Sequence, residues 1–131
     1  MEDRLTKIKP GQAAADPQKI RLWARQLISA LYEMHVHQCI AHRDIKPENF
    51  VLNESDELVL VDFGLAKCFK DNGDDTVKGI CGTIRFYAPE VVQTGVKDKV
   101  IHAKKTDIWA AGVFLYRLFT GGYPFDGEGV M

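Results

Sequence analysis

Asp44, Lys46 and Asn49 lie within one six-residue stretch, and Asp62 follows thirteen positions after Asn49. An aspartate can accept a hydrogen bond from a hydroxyl and take its proton. An asparagine carbonyl and a second carboxylate are hard oxygen donors of the kind Mg²⁺ prefers. A base beside two such donors suits phosphoryl transfer, which needs positioning and charge neutralisation more than covalent help. Taken singly, these residues say little. Asp44 would read as a surface or capping residue, Asp62 as a turn former, Asn49 as an Asx turn, and His42 as a core histidine. The joint pattern overrides those readings: His42-Arg43-Asp44 with Asn49, then Asp62-Phe63-Gly64, then Gly82-Thr83 leading into Ala88-Pro89-Glu90.

The elements that must hold these residues are legible around them. Residues 1–15, with Pro10-Gly11, read as an irregular lead-in. Asp16-Pro17 marks a helix start, since aspartate caps free N–H groups and proline suits the first helical position. Ile20, Trp23, Leu27, Ile28, Leu31 and Met34 follow at helical spacing, with an end expected at 35–38 and Trp23 in the core. Phe50-Val51-Leu52 and Leu58-Val59-Leu60-Val61 are strand-forming runs, and the polar residues 53–57 between them suit a hairpin turn. That hairpin would return Asp62 to the side of Asn49. From 62 to 90 the chain reads as loop, broken by Gly64, Gly73, Gly79 and Gly82, with Pro89 opening a short helix. A second long helix is expected from near Thr106. Residues 108–116 carry no charge, which predicts a pillar buried on all sides, ended by Gly121-Gly122. Tyr123-Pro124-Phe125-Asp126-Gly127 reads as a turn.

Composition narrows the function class. Hydrophobic residues make up 46% and charged residues 27%, as in an ordinary globular protein. A net charge of −1 argues against a nucleic-acid binder. The acidic cluster at 71–75 lacks calcium-loop spacing and reads as a solvated loop. Cys39, Cys68 and Cys81 form no C-x-x-C pair, so reduced thiols in a cytoplasmic or nuclear compartment are expected rather than a zinc site or disulfide framework. Met1-Glu2-Asp3-Arg4 lacks the order of a signal peptide, and no run approaches the length of a membrane span.

His42-Arg43-Asp44 followed by Asn49 fits H-R-D-x-x-x-x-N, and with Asp62-Phe63-Gly64 and Ala88-Pro89-Glu90 the chain resembles the eukaryotic protein kinase family over residues 16–126. The resemblance implies a mainly α fold with small β-hairpins (α+β), the C-terminal lobe of a kinase. It implies ATP and Mg²⁺ as cofactors and a protein substrate with a Ser or Thr acceptor. By matching position, Asp44 is the base, Lys46 contacts the transferred phosphoryl group, and Asn49 and Asp62 bind magnesium. Lys46, two residues after Asp44, resembles Ser/Thr rather than Tyr kinases. Val51 would lie beneath the adenine ring, and Glu48 would lie on the nucleotide side; a contact with basic substrate residues and plain solvation remain open for it. Thr83 would bond Asp44 and Lys46, and Asp107 would hold the catalytic-loop backbone. His42 and Phe63, followed by Gly64, would belong to the regulatory spine. Arg43 would read an activation-loop phosphate. Thr76 is the better phosphorylation candidate in that loop, yet Gly79 stands where many relatives carry the phosphothreonine, so a parent kinase independent of that phosphate is expected. The 107–125 segment resembles the calmodulin-dependent branch, near the kinases that activate AMP-activated protein kinase.

Other family features do not match. No G-x-G-x-x-G or V-A-I-K lysine precedes the catalytic loop, and Gly127-Glu128-Gly129 is misplaced and incomplete. The expectation is therefore a fragment: a hinge-side lead-in (1–15), a C-lobe from the first long helix to just past the central one (16–131), and no N-lobe. Such a fragment would expose apolar faces of the 106–120 helix, would lack the arginine partner of Glu90, and would transfer little phosphate alone. The alternative is an inactive truncated kinase that binds a regulatory protein. A small-molecule kinase is disfavoured by the segment from Gly82 to Glu90, which resembles a peptide-positioning loop.

Overall fold

The computed structural model describes residues 6–9, 11, 16–93 and 100–125. Pro10, residues 12–15, Asp126-Gly127 and the 127–129 glycine pair fall outside the described residues. Helix α1 (Pro17–Tyr32) begins as its sequence dictates. Asp16 accepts hydrogen bonds from the amides of Gln18 and Lys19 at 3.1 and 3.3 Å, with Pro17 at the first turn. Trp23, Leu27 and Leu31, four residues apart, form the buried stripe. The indole of Trp23 also donates to Asp56 O at 2.8 Å, tying α1 to the hairpin turn. Ile28 departs from the expected core set: it is 62% exposed, because it lies a full step around the helix from Leu27. The helix continues as one π-helical turn (Glu33–His37), which reaches the expected end.

The hairpin forms as expected, with β3 (Phe50–Leu52) antiparallel to β4 (Leu58–Leu60) and Val51 opposite Val59. Phe50 and Leu52 face the core and Val51 the other side. The lead-in is more regular than its sequence suggests. Thr6–Lys7 forms β1 on the far edge of β3, and Ile8 is buried behind it. Two further two-stranded pairs break up the expected 62–90 loop. They are β2 (Ile40–Ala41) with β5 (Lys67–Cys68), and β6 (Thr76–Lys78) with β7 (Val100–His102). Strands of two or three residues are too short to show a period-2 pattern, so sequence alone missed them. Helix α2 (Pro89–Val92) opens at Pro89 as expected.

Helix α3 (Ala103–Thr120) starts three residues before Thr106, whose hydroxyl bonds back to Ala103 O at 2.7 Å instead of capping. Gly121 ends it in the left-handed region at φ 78°, where Gly suffers no Cβ penalty, and the Arg117 guanidinium donates to Gly121 O. The expected burial on all sides does not hold. Asp107, Ala110, Ala111, Phe114 and Leu118 are buried along one stripe, while Ile108, Tyr116 and Phe119 stand exposed. An uncharged run permits full burial but does not supply the neighbours that would cover every face.

The main core joins α1, the hairpin and α3 through Trp23, Leu27, Phe50, Ile45, Phe114 and Leu118. The rings of Phe50 and Phe114 meet at 4.6 Å. Fully burying each such side chain stabilises the fold by about 1.5–3 kcal/mol. A smaller cluster of Ala41, Val77, Ala88, Val91, Ile101 and Ala103 lies under β6 and β7. The segment 42–49 passes over the main core with Ile45 and Pro47 buried; His42 and Asn49 are buried too, Arg43, Asp44 and Lys46 are half-buried, and Glu48 is exposed.

Candidate functional site

The site is built on a backbone that is pinned from below. Asp107, 1% exposed, accepts the His42 amide at 2.8 Å on one carboxylate oxygen and the Arg43 amide at 2.9 Å on the other. Arg43 sits at φ 73°, a left-handed conformation that costs a non-Gly residue about 1–3 kcal/mol unless its surroundings hold it. The Asp107 carboxylate supplies that hold. The same oxygen that takes the His42 amide also meets His35 Nε2 at 2.8 Å. His35 went unnoticed in the sequence. The π-helical turn that brings it inward gives no periodic signal, and such turns recur at functional sites.

On this support the polar side chains converge. Thr83 Oγ1 donates to Asp44 Oδ1 at 3.0 Å and accepts from Lys46 Nζ at 3.0 Å. Lys46 Nζ also lies 3.4 Å from Asp44 Oδ2. Asn49 Nδ2 donates to Asp44 O at 2.7 Å and to Asp44 Oδ2 at 3.2 Å. The amide orientation of Asn49 follows, since the reverse would set its oxygen against two acceptors. Its Oδ1 is therefore turned away from Asp44. Asp44 N donates to His42 Nδ1 at 3.2 Å, which leaves the His42 proton on Nε2, a buried nitrogen without a partner among the described residues.

Gly82 explains why Thr83 can come so close. A Cβ on Gly82 would lie 2.7 Å from Arg43 O, and its φ of +96° is unsuited to other residues. Asp62 follows β4 at φ 58°, exposed, with Oδ1 accepting the Gly64 amide at 3.1 Å. The Val61 amide bonds Asn49 O at 2.8 Å, so Asn49 and Asp62 flank one backbone bridge, as the hairpin reading required. His42 and Phe63 rings meet edge to face at 5.2 Å. Val51 is half-buried on the outer face of β3, and Glu48 is exposed with no bond to a described residue.

The remaining expected residues lie apart from this cluster. Arg43 has no ion-pair partner among the described residues, and Glu90 is exposed and likewise makes none. Thr76 lies in β6, where its hydroxyl donates to Asp74 Oδ1 at 2.6 Å. The 71–75 run is not uniformly solvated. Asp75 is a correction to that reading, since its side chain is 16% exposed and bonds His102 Nδ1 at 2.8 Å. Burial pushes the Asp75 carboxyl up, but the hydrogen bonds from His102 and the Lys104 amide outweigh it and bring it below its ordinary value.

Among the described residues no three His, Cys, Asp or Glu side chains gather as a metal cluster. The Asn49 oxygen, turned away from Asp44, and the exposed Asp62 carboxylate are nonetheless the hard donors that Mg²⁺ accepts alongside water and phosphate oxygens. The chemistry of this pair therefore fits the ion.

The profile described as "Protein kinase domain" matches residues 1–130. Maternal embryonic leucine zipper kinase of Xenopus laevis is 39% identical over 114 residues, covering 87% of this chain and 17% of that protein. Serine/threonine-protein kinase grp of Drosophila melanogaster is 41% identical over 102 residues, covering 77% of this chain and 19% of its own length. Serine/threonine-protein kinase CHK1 of Saccharomyces cerevisiae is 37% identical over 127 residues, covering 95% of this chain and 23% of its own length. The chain thus spans less than a quarter of each of these relatives. Their names do not carry the branch suggested by the 107–125 segment.

Proposed function

This chain belongs to the protein kinase domain family, and from that premise we propose that it supplies the catalytic loop of a Ser/Thr protein kinase that transfers the γ-phosphoryl group of ATP to protein hydroxyls. The observation that carries the reading is the triangle of Asp44, Lys46 and Thr83. One threonine hydroxyl bonds both the carboxylate and the ammonium, at 3.0 Å each.

In this reading Asp44 accepts the hydrogen bond of the substrate hydroxyl and takes its proton as the oxygen attacks phosphorus. Asn49 and Thr83 hold the carboxylate in one orientation, so that it does not reorganise during the step. Lys46, already beside Asp44, stabilises charge on the transferred phosphoryl group. Mg²⁺, when bound, neutralises the phosphate oxygens, and Asn49 Oδ1 with Asp62 would hold it. Val51 offers the apolar surface for the adenine ring. Asp107 acts through the backbone, keeping His42 and Arg43 in the conformation that presents Asp44.

The mainly helical body with its small hairpins supports assignment to the larger, C-terminal lobe of the kinase. The three free thiols support a cytoplasmic or nuclear setting. The test is phosphoamino-acid analysis of a mixed peptide library treated with labelled ATP and the full-length protein. Label on serine and threonine, lost in Asp44→Ala, is expected. Label on tyrosine alone would overturn the assignment.

A further inference from the structure

Helix α3 has no capping side chain of its own at its start, since His102 in the capping position makes no such bond. The cap comes from Asp75, far back in the chain. Asp75 O accepts the Ala103 amide at 3.0 Å, Asp75 Oδ2 accepts the Lys104 amide at 3.0 Å, and Asp75 Oδ1 meets His102 Nδ1 at 2.8 Å. Both carboxylate oxygens are thus used at the electropositive end of an 18-residue helix, where a negative group is favoured.

This contact is the start of a longer attachment. Pairing of β6 with β7 begins at the next residue, with Thr76 opposite His102 and Val77 opposite Ile101. On the other side, Asn72 Oδ1 accepts from Lys104 Nζ at 2.9 Å, and Asn72 Nδ2 donates to Val36 O at 3.0 Å. The strand then leads through Gly79 to Gly82, packed on Arg43 O, and to Thr83 on Asp44. One turn further along α3, Asp107 holds the catalytic-loop amides. The first two turns of α3 therefore serve as a common base for both loops. A phosphate could order such a segment by pairing with a cation, but Gly79 has no hydroxyl and the Thr76 hydroxyl is engaged by Asp74.

We propose that Asp75 is a positioning residue that ties the 76–83 segment to the N-terminus of α3 and so seats Gly82 and Thr83 against Asp44 without phosphorylation. The consequence for catalysis rests on the kinase reading, but the tie itself can be measured without nucleotide. The experiment is amide hydrogen exchange of the full chain, comparing Asp75→Ala with Asp71→Ala, a control at an exposed aspartate of the same run. Amides of 76–83 and 101–105 are expected to exchange roughly tenfold or more faster in Asp75→Ala, the weight of a hydrogen bond to a charged group. Amides of α1 and the β3–β4 hairpin should change by less than about twofold, and Asp71→Ala should change neither set. If Asp75→Ala does not fold, His102→Ala, which removes one of the bonds, should give the same regional pattern at smaller size. Equal exchange in Asp75→Ala and the control, or uniform acceleration along the whole chain, would overturn the proposal. So would a wild-type segment 76–83 that becomes protected only after phosphorylation. Failure to transfer phosphate would count against the kinase reading and leave the exchange result standing.

Discussion

Replacing Asp107 tests how the site is supported. Asp107→Ala removes the acceptor of three bonds, from the His42 amide, the Arg43 amide and His35 Nε2. The His42 amide is buried, so no water replaces the lost oxygen. Each orphaned donor costs about 1–3 kcal/mol. Removing the carboxylate also relieves its own desolvation, so the net loss should be about 3–5 kcal/mol, as for one partner of a buried polar pair. Asp107→Asn is the informative comparison. Its carbonyl can occupy the position of Oδ2 and keep both the His42 and His35 contacts. Only the Arg43 amide then faces an NH₂ group, a loss of about 1–2 kcal/mol. A gap of about 2 kcal/mol between the variants shifts the urea midpoint by roughly 1 M for a small domain. Equilibrium urea unfolding of the full chain, followed by the fluorescence of Trp23 and Trp109, reads this directly. Equal midpoints for the Ala and Asn variants would refute the reasoning, because the loss would then not depend on hydrogen-bond acceptance.

Three other outcomes follow from the same geometry. Gly82→Ala should destabilise the 76–83 segment by more than about 2 kcal/mol, since a positive φ and a 2.7 Å approach to the Arg43 carbonyl act together; local amide exchange measures it. Phe50→Ala should cost about 3–5 kcal/mol in denaturant unfolding, because the ring is 1% exposed against Phe114. The third concerns pH. Asp75 has a folded-state pKa below its unfolded value, so the unfolded chain binds more protons between the two and stability rises with pH there. Its contribution is complete above about pH 4, the ordinary aspartate value, and drains as pH falls through the lower folded value. In acid unfolding, the stability gap between wild type and Asp75→Asn should therefore narrow below about pH 4.

The parts of the fold that sequence revealed are those with a local cause. Asp16 and Pro17 start α1 through capping and fixed φ, Gly121 ends α3 through its left-handed conformation, and two strand-forming runs around the polar residues 53–57 set the hairpin. The triangle of Asp44, Lys46 and Thr83 was legible only through resemblance, since nothing in composition or spacing joins position 83 to position 44. What stayed hidden depends on contacts distant in sequence. His35 reaches Asp107 through a π-helical turn, Asp75 reaches His102 through strands of three residues, and β1 exists only because β3 offers an edge. The uncharged stretch of α3 misled in the opposite direction, because hydrophobicity states what a helix tolerates and not which neighbours it has.

The central claim is that Asp44, held by Asn49 and Thr83, acts as the base in phosphoryl transfer. Steady-state kinetics of the full-length protein with ATP and a Ser/Thr peptide, wild type against Asp44→Asn, tests it most directly. A fall in kcat of roughly 10²–10⁴-fold, with the KM for ATP little changed, is the predicted result. Wild-type kcat in the Asp44→Asn protein would contradict the account.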